Sequence, residues 1–92
     1  MITINQIKKS MRITTSMLDD DIQRLIDTAE ADLTGAGVTP PPADEENQVY
    51  DYAIDMFVKS AMDYRGDSKF YWLRYALVRD TLQKRKGSGW DV

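Results

Sequence analysis

The chain has 92 residues and a net charge of −3, and 42% of its residues are apolar while 29% are charged. This length and balance fit a single folded domain and argue against wholesale disorder. The chain contains neither cysteine nor histidine, which excludes disulfides, thiolate metal sites, thiol catalysis and the usual catalytic triads. The composition therefore favours a binding or structural protein over an enzyme.

The sequence also argues against membrane insertion and secretion. No apolar run approaches the length of about 20 residues that a membrane-spanning helix needs. The first 13 residues lack the apolar stretch of a secretory signal, so none is expected.

Charge is unevenly distributed along the chain. Residues 1–12 carry +3, residues 13–34 and 35–64 carry −5 each, and residues 65–92 carry +4. One interpretation is a solvated surface on which the two signs neutralise each other within one molecule. The other is self-complementarity, in which the basic end of one copy faces the acidic middle of the next.

Two helices are predicted in the first third of the chain. Thr3 and Gln6 have the spacing of a capping box, which predicts that a short helix begins there. A second helix is predicted to begin between Ser16 and Asp19, where either side chain could cap it. Apolar residues then recur at steps of three and four until Gly35, which is expected to end the helix.

A proline-rich loop and a long third helix follow. The segment Gly35–Asp44 contains three consecutive prolines and is predicted to be a stiff spacer. The third helix is predicted from Asp44 to Tyr64, with acidic residues in its first turn. It is apolar around so much of its circumference that it is either central in the domain or covered by a partner.

The fourth helix is predicted from Lys69 to Lys86, with Asp67 or Ser68 as its cap. Residues 87–92 are expected to form a flexible tail. The helix carries three apolar stripes: Tyr71, Tyr75, Val78 and Leu82; Phe70, Leu73 and Leu77; and Trp72 with Ala76. The third and fourth helices together offer more apolar surface than one small core needs. The fold class predicted is therefore a small all-α bundle of about four helices, with part of its apolar surface turned towards a partner.

The candidate site is a protein interface and contains no catalytic group. Large aromatic side chains and arginine are typical anchors of interfaces, although aromatic side chains at helical spacing also build cores. The basic end of the fourth helix could instead neutralise phosphates, with a tryptophan stacking on bases. The residues predicted to contact a partner are Tyr71, Trp72, Tyr75, Arg79, Lys84, Arg85, Lys86 and Trp90.

No cofactor or metal site is predicted. The carboxylate pairs at helical spacing lack the histidines of a di-metal bundle, and the three consecutive aspartates Asp19–Asp21 do not have the spacing of a calcium loop. The pair Gly35 and Gly37 follows a helix and not a strand, so it does not form a nucleotide-binding fingerprint.

The first two thirds of the chain resemble a known family. A short N-terminal helix in residues 1–13 precedes the acidic and apolar segment Asp19–Leu33, and the long third helix ends in the pair Tyr64 and Arg65. This arrangement resembles the head–tail connector (adaptor) proteins of long-tailed phages and prophages. The resemblance covers residues 1–66 well and the last helix loosely.

The resemblance implies a small, all-α, non-enzymatic structural protein of virion assembly. It implies a homo-oligomeric ring beneath the portal protein, which extends the DNA channel and docks the tail. The implied partners are other copies, the portal, and tail-side connector or head-closure proteins, with non-specific proximity to DNA and with neither a membrane nor a small-molecule substrate. The implied location is the head–tail junction of the virion, after assembly in the cytoplasm of a bacterial host. The alternative is a small helical DNA-binding or regulatory module that uses its basic C-terminal helix.

Overall fold

The computed structural model describes residues 2–42 and 47–84. These residues form four α-helices and a short 3-10 turn, without strands, which confirms the predicted all-α fold. The α-helices are α1 (Ile4–Met11), α2 (Asp19–Gly35), α3 (Gln48–Ala61) and α4 (Ser68–Lys84), and the 3-10 turn is Tyr64–Gly66.

The predicted capping box begins α1. The backbone N–H of Gln6 donates to the Thr3 hydroxyl at 3.2 Å, and the backbone N–H of Thr3 donates to the Gln6 side chain at 2.8 Å. Two of the free N–H groups at the helix start are thereby satisfied. Lys8 forms an ion pair with Asp19 at 2.8 Å, which ties α1 to the first turn of α2.

The start of α2 differs from the expectation. Leu18 occupies the N-cap position and no side chain caps the helix, so the prediction of a cap by Ser16 or Asp19 was wrong. Three aspartates fill the first turn, where negative charge is stabilised by the helix dipole. The helix ends at Gly35 as predicted, and Gly37 follows with a φ of 90°.

Helix α3 is shorter than predicted at both ends. The side chain of Asn47 accepts a hydrogen bond from the backbone N–H of Tyr50 at 2.9 Å and so sets the start of the helix at Gln48. The predicted start at Asp44 was therefore wrong, whereas the acidic residues expected in the first turn, 44–46, lie outside the described residues. The predicted end at Tyr64 was wrong, because the helix ends at Ala61.

The chain reverses between α3 and α4 through left-handed backbone. Asp63, Arg65 and Gly66 have φ values of 52°, 56° and 72°. Only glycine adopts this region without a steric cost. The left-handed conformation therefore destabilises the folded state by roughly 1 kcal/mol at Asp63 and again at Arg65. The backbone N–H of Ser68 donates to the Asp63 carboxylate at 3.3 Å, which links the turn to the start of α4.

Helix α3 is central and packs against both α2 and α4. The proline segment also contributes to the core, because Val38 and Pro41 are buried. Within residues 2–42 and 47–84, most of the apolar surface of α3 is thereby covered, whereas much of that of α4 is not. The buried apolar residues are Ile7, Met11, Ile22, Ile26, Ala29, Leu33, Val38, Tyr50, Ala53, Ile54, Met56, Val58, Tyr75 and Leu82.

A candidate interaction surface on the last helix

One face of α4, the inner face, packs onto α3. Tyr75 and Leu82 are buried there, and Tyr71 and Val78 are half-buried beside them. These four residues recur at steps of three and four, so they line a single side of the helix. The first of the three predicted stripes is therefore the one that faces the core.

An aromatic cluster joins the middle of α4 to α3. The Phe57 ring meets the Tyr75 ring edge-on, with centroids 5.1 Å apart, and lies 6.4 Å from the Trp72 ring. Trp72 and Tyr75 are themselves 5.5 Å apart. Such pairs contribute about 0.5–1.5 kcal/mol beyond the area they bury, so the cluster holds the Trp72 ring in place at the edge of the core.

The carboxylate of Asp32 on α2 joins α2 to α4. The Tyr75 hydroxyl donates to Asp32 Oδ2 at 2.5 Å, and the Arg79 guanidinium donates to the same oxygen at 2.9 Å. One turn further along α4, the Gln83 amide donates to the carbonyl oxygen of Ala36 at 2.7 Å. We call the set Asp32, Tyr75 and Arg79 the Asp32 clamp. It fixes the C-terminal half of α4 against the end of α2.

The clamp shifts the acid–base properties of its members. The hydrogen bond from Tyr75, supported by that from Arg79, lowers the pKa of Asp32, although partial burial acts in the opposite direction. Burial, together with the neighbouring Asp32 carboxylate, raises the pKa of Tyr75. The hydrogen bond to Asp32 raises the pKa of Arg79. At neutral pH the clamp therefore holds one negative and one positive charge around a neutral hydroxyl.

Lys59 on α3 contacts the turn before α4 and the N-terminal part of α4. Its ammonium group pairs with Asp55 at 3.1 Å and lies 5.5 Å from the Tyr64 ring and 5.8 Å from the Tyr71 ring. A cation over aromatic faces is stabilised by the ring quadrupole. Tyr71 is thereby engaged within the chain and offers only part of its ring to solvent.

The opposite side of α4 carries a second apolar stripe that nothing in the described chain covers. Phe70 is 50% exposed, Leu73 is 52% exposed and Leu77 is 66% exposed. They also recur at steps of three and four, so they line one side of the helix. We call Phe70, Leu73 and Leu77 the outer face. Trp72, which is 43% exposed, lies between the outer face and the Asp32 clamp.

Charged side chains border the outer face. Lys69 and Arg74 are exposed, and the Arg74 guanidinium lies 5.3 Å from the Phe70 ring. Lys84 pairs with Asp80 at 3.1 Å, and both side chains are largely exposed. An apolar centre with a charged border is the pattern of a protein-binding surface.

The residues predicted to contact a partner divide into three groups. Trp72 and Lys84 are exposed and remain candidates, and Tyr71 is half-buried. Tyr75 was predicted to be at a partner contact, but it is 0% exposed and belongs to the core. Arg79 is half-buried and bound to Asp32 within the chain. Three further predicted residues lie outside the described residues: Arg85, Lys86 and Trp90.

The apolar stripe of the outer face was predicted from the sequence, but its residues were not predicted to belong to the site. The signal that could have found them is the low polarity of α4 on two opposite sides, which one core cannot cover. Asp32 carried no signal, because 43 residues separate it from Tyr75.

Neither a metal cluster nor a membrane span occurs in the part of the chain that the structure describes. Within residues 2–42 and 47–84, acidic side chains do not gather in any group of three that could hold a metal ion. The helices in these ranges are not long and apolar enough to cross a bilayer.

Comparison with known proteins finds no family model that matches the chain, no similar curated protein and no matching solved structure.

Proposed function

We propose that this chain is a structural assembly protein, a head–tail connector of the type that its first two thirds resemble. In this role it would form a ring under the portal, extend the DNA channel and dock the tail. The protein would act by packing and by charge pairing, without catalysing a reaction.

The observation that carries the proposal is the outer face of α4. Three large apolar side chains on one helical face are half or more exposed. Transfer of such side chains from water contributes about 25 cal/mol per Å² of apolar area, so a partner that covers them gains affinity. Contiguous exposed apolar patches with a charged border usually mark interaction sites in small proteins.

The charge distribution supports the same proposal. Lys69 and Arg74 give the exposed side of α4 a positive border, whereas Asp20, Asp21 and Asp27 are exposed on α2. Complementary potentials on different sides of one chain set the register and the rate of association between subunits. A ring requires such unlike surfaces to meet around a closed rotation.

The experiment is a native mass measurement of the full chain alone and with a portal protein from a long-tailed phage. Because the resemblance does not identify the cognate phage, the portal should be encoded beside the gene for this chain. A portal-dependent, higher-order complex of defined stoichiometry would support the proposal. A chain that does not associate with this portal at any salt concentration would exclude the connector function.

The second candidate is a DNA-binding or regulatory module. The observation in its favour is the exposure of Lys69, Arg74 and Lys84 on one helix. A salt titration of affinity for duplex DNA tests it, because each neutralised phosphate steepens the salt dependence. Specific, nanomolar binding by a monomer or dimer would favour this module over the connector.

A further inference from the structure

We infer that the outer face of α4 pairs with the same face of a second copy, antiparallel and around a two-fold axis near position 75. This inference shares the outer face with the proposed function and names what covers that face in the free protein. In the free protein the second copy would cover the outer face until an assembly partner displaces it.

The distribution of exposed apolar side chains favours a second copy as the occupant of the outer face. Among the described residues, the exposed large apolar side chains outside α4 are Met17, in the loop before α2, and Tyr52, on α3. No other described surface of the chain therefore presents an apolar stripe that matches Phe70, Leu73 and Leu77. The best match for this face on a second copy is the face itself, and a contact between identical faces closes with two subunits.

The two leucines of the outer face set the register of such a pair. Leu73 and Leu77 lie symmetrically on either side of position 75. An antiparallel two-fold pair centred there brings Leu73 of each copy beside Leu77 of the other. Four leucine side chains thereby form a continuous apolar centre, as in antiparallel helix pairs with apolar residues at steps of three and four.

Charge complementarity along one edge of the outer face favours the antiparallel orientation. Lys69 and Asp80 are eleven residues apart, which is close to three helical turns, so they lie on the same edge of the outer face. The midpoint between Lys69 and Asp80 along the chain falls half a residue before position 75, so it nearly coincides with the midpoint of the two leucines. The antiparallel arrangement therefore places Lys69 of each copy beside Asp80 of the other, whereas a parallel arrangement would place lysine beside lysine. Asp80 already pairs with Lys84 of its own chain at 3.1 Å, so Lys69 would join an existing, largely exposed ion pair.

The pairing is expected to be weak. The contact is one helix wide and thus at the low end of the areas that stable interfaces bury. On the other edge, the two Arg74 side chains approach each other near the axis and oppose the pairing. We expect a dissociation constant on the order of 10–100 µM.

The first test is sedimentation velocity on the full chain between about 5 and 500 µM, since mass action shifts such an equilibrium across this range. We expect reversible dimers. Leu77→Glu places a charge in the apolar centre at a position that is 66% exposed, so it should weaken dimerisation at least about tenfold without unfolding the chain. Met17→Glu, at an apolar position that is 87% exposed and outside the face, is the matched control and should leave the dimer unchanged.

The second test is a charge exchange. Lys69→Asp alone and Asp80→Lys alone should each weaken the dimer, and the double variant should restore it, because the exchanged charges meet again across the axis. A chain that stays monomeric throughout the range, or a dimer that tolerates Leu77→Glu, would overturn the inference. Failure of the double variant to restore the dimer would overturn the antiparallel arrangement.

The same measurements separate this inference from the proposed function. A monomer that still binds the portal would refute the pairing and leave the connector function standing. A dimer that binds no portal would leave the pairing standing and refute the connector function.

Discussion

The Tyr75 hydroxyl and the Asp32 carboxylate form a hydrogen bond that spans 43 residues and joins α4 to α2. Tyr75→Phe removes the donor and keeps the buried ring, so it isolates this bond. Because Asp32 is partly exposed and can recover water, we expect a loss of about 1 kcal/mol in the free energy of unfolding, measured by urea denaturation. Tyr52→Phe, at an exposed tyrosine on α3, is the control and should change stability by less than about 0.5 kcal/mol. Equal effects of the two substitutions would mean that the bond contributes nothing.

The Asp32 clamp predicts a dependence of stability on pH. Because the folded-state pKa of Asp32 is lowered, its contribution is present above the unfolded pKa of about 4 and is lost as the pH falls through the folded value. Asp32→Asn should therefore destabilise the protein at pH 7 and much less at pH 2. The measurement is the difference in free energy of unfolding between the two chains across this range. A difference that does not change with pH would contradict the role of the charged carboxylate.

The contribution of Glu30 to stability changes with pH in the opposite direction. Burial, followed by the nearby charge of Asp27, raises its pKa in the folded chain. The protonated form is favoured by folding, so its contribution is present below the unfolded pKa and is lost as the pH rises through the folded value. We expect Glu30→Gln to gain stability relative to the parent chain between pH 3 and pH 7, by a few tenths of a kcal/mol. Parallel stability curves for the two chains would refute this prediction.

The two sides of α4 predict unequal costs for the same substitution. Leu82 is 2% exposed on the inner face, so Leu82→Ala leaves a cavity and should cost about 2–4 kcal/mol. Leu77→Ala on the outer face should cost less than about 0.5 kcal/mol in the monomer. Thermal or urea unfolding at low protein concentration measures both. Similar losses at the two positions would mean that the outer face is covered within the monomer.

The turn after α3 offers a test of backbone strain. Gly66 has a φ of 72°, and a Cβ added there would meet no atom within 4 Å. The cost of Gly66→Ala therefore comes from the backbone alone and is expected to be about 1 kcal/mol. Gly35→Ala, which also meets no atom but has no positive φ, is the control and should be neutral or stabilising. A loss at Gly35 as large as at Gly66 would contradict the assignment to backbone strain.

Sequence patterns within one or two helical turns predicted the helices better than they predicted which side chains lie on the surface. The hydrogen bonds between Thr3 and Gln6 lie within one turn and could be recognised from spacing. The start of α3 was missed because Asn47 competes with earlier acidic residues as a cap, and only the backbone geometry decides between them. Periodicity showed that α4 has several apolar stripes but could not show which one faces the core, since that depends on α3. The pairing of Asp32 with Tyr75 and Arg79 depends on tertiary structure and left no trace in the sequence.

The order of α3 and α4 along the chain bears on how this protein folds. The two helices with the most extensive contact are consecutive, and only residues 62–67 separate them. Contacts between neighbours close short loops and cost little chain entropy, so we expect them to form early. We therefore expect the α3–α4 hairpin to form first, and α2 to dock onto it later through its own apolar side and the Asp32 carboxylate. In native-state hydrogen exchange, the backbone amides of α3 would then be among the slowest to exchange.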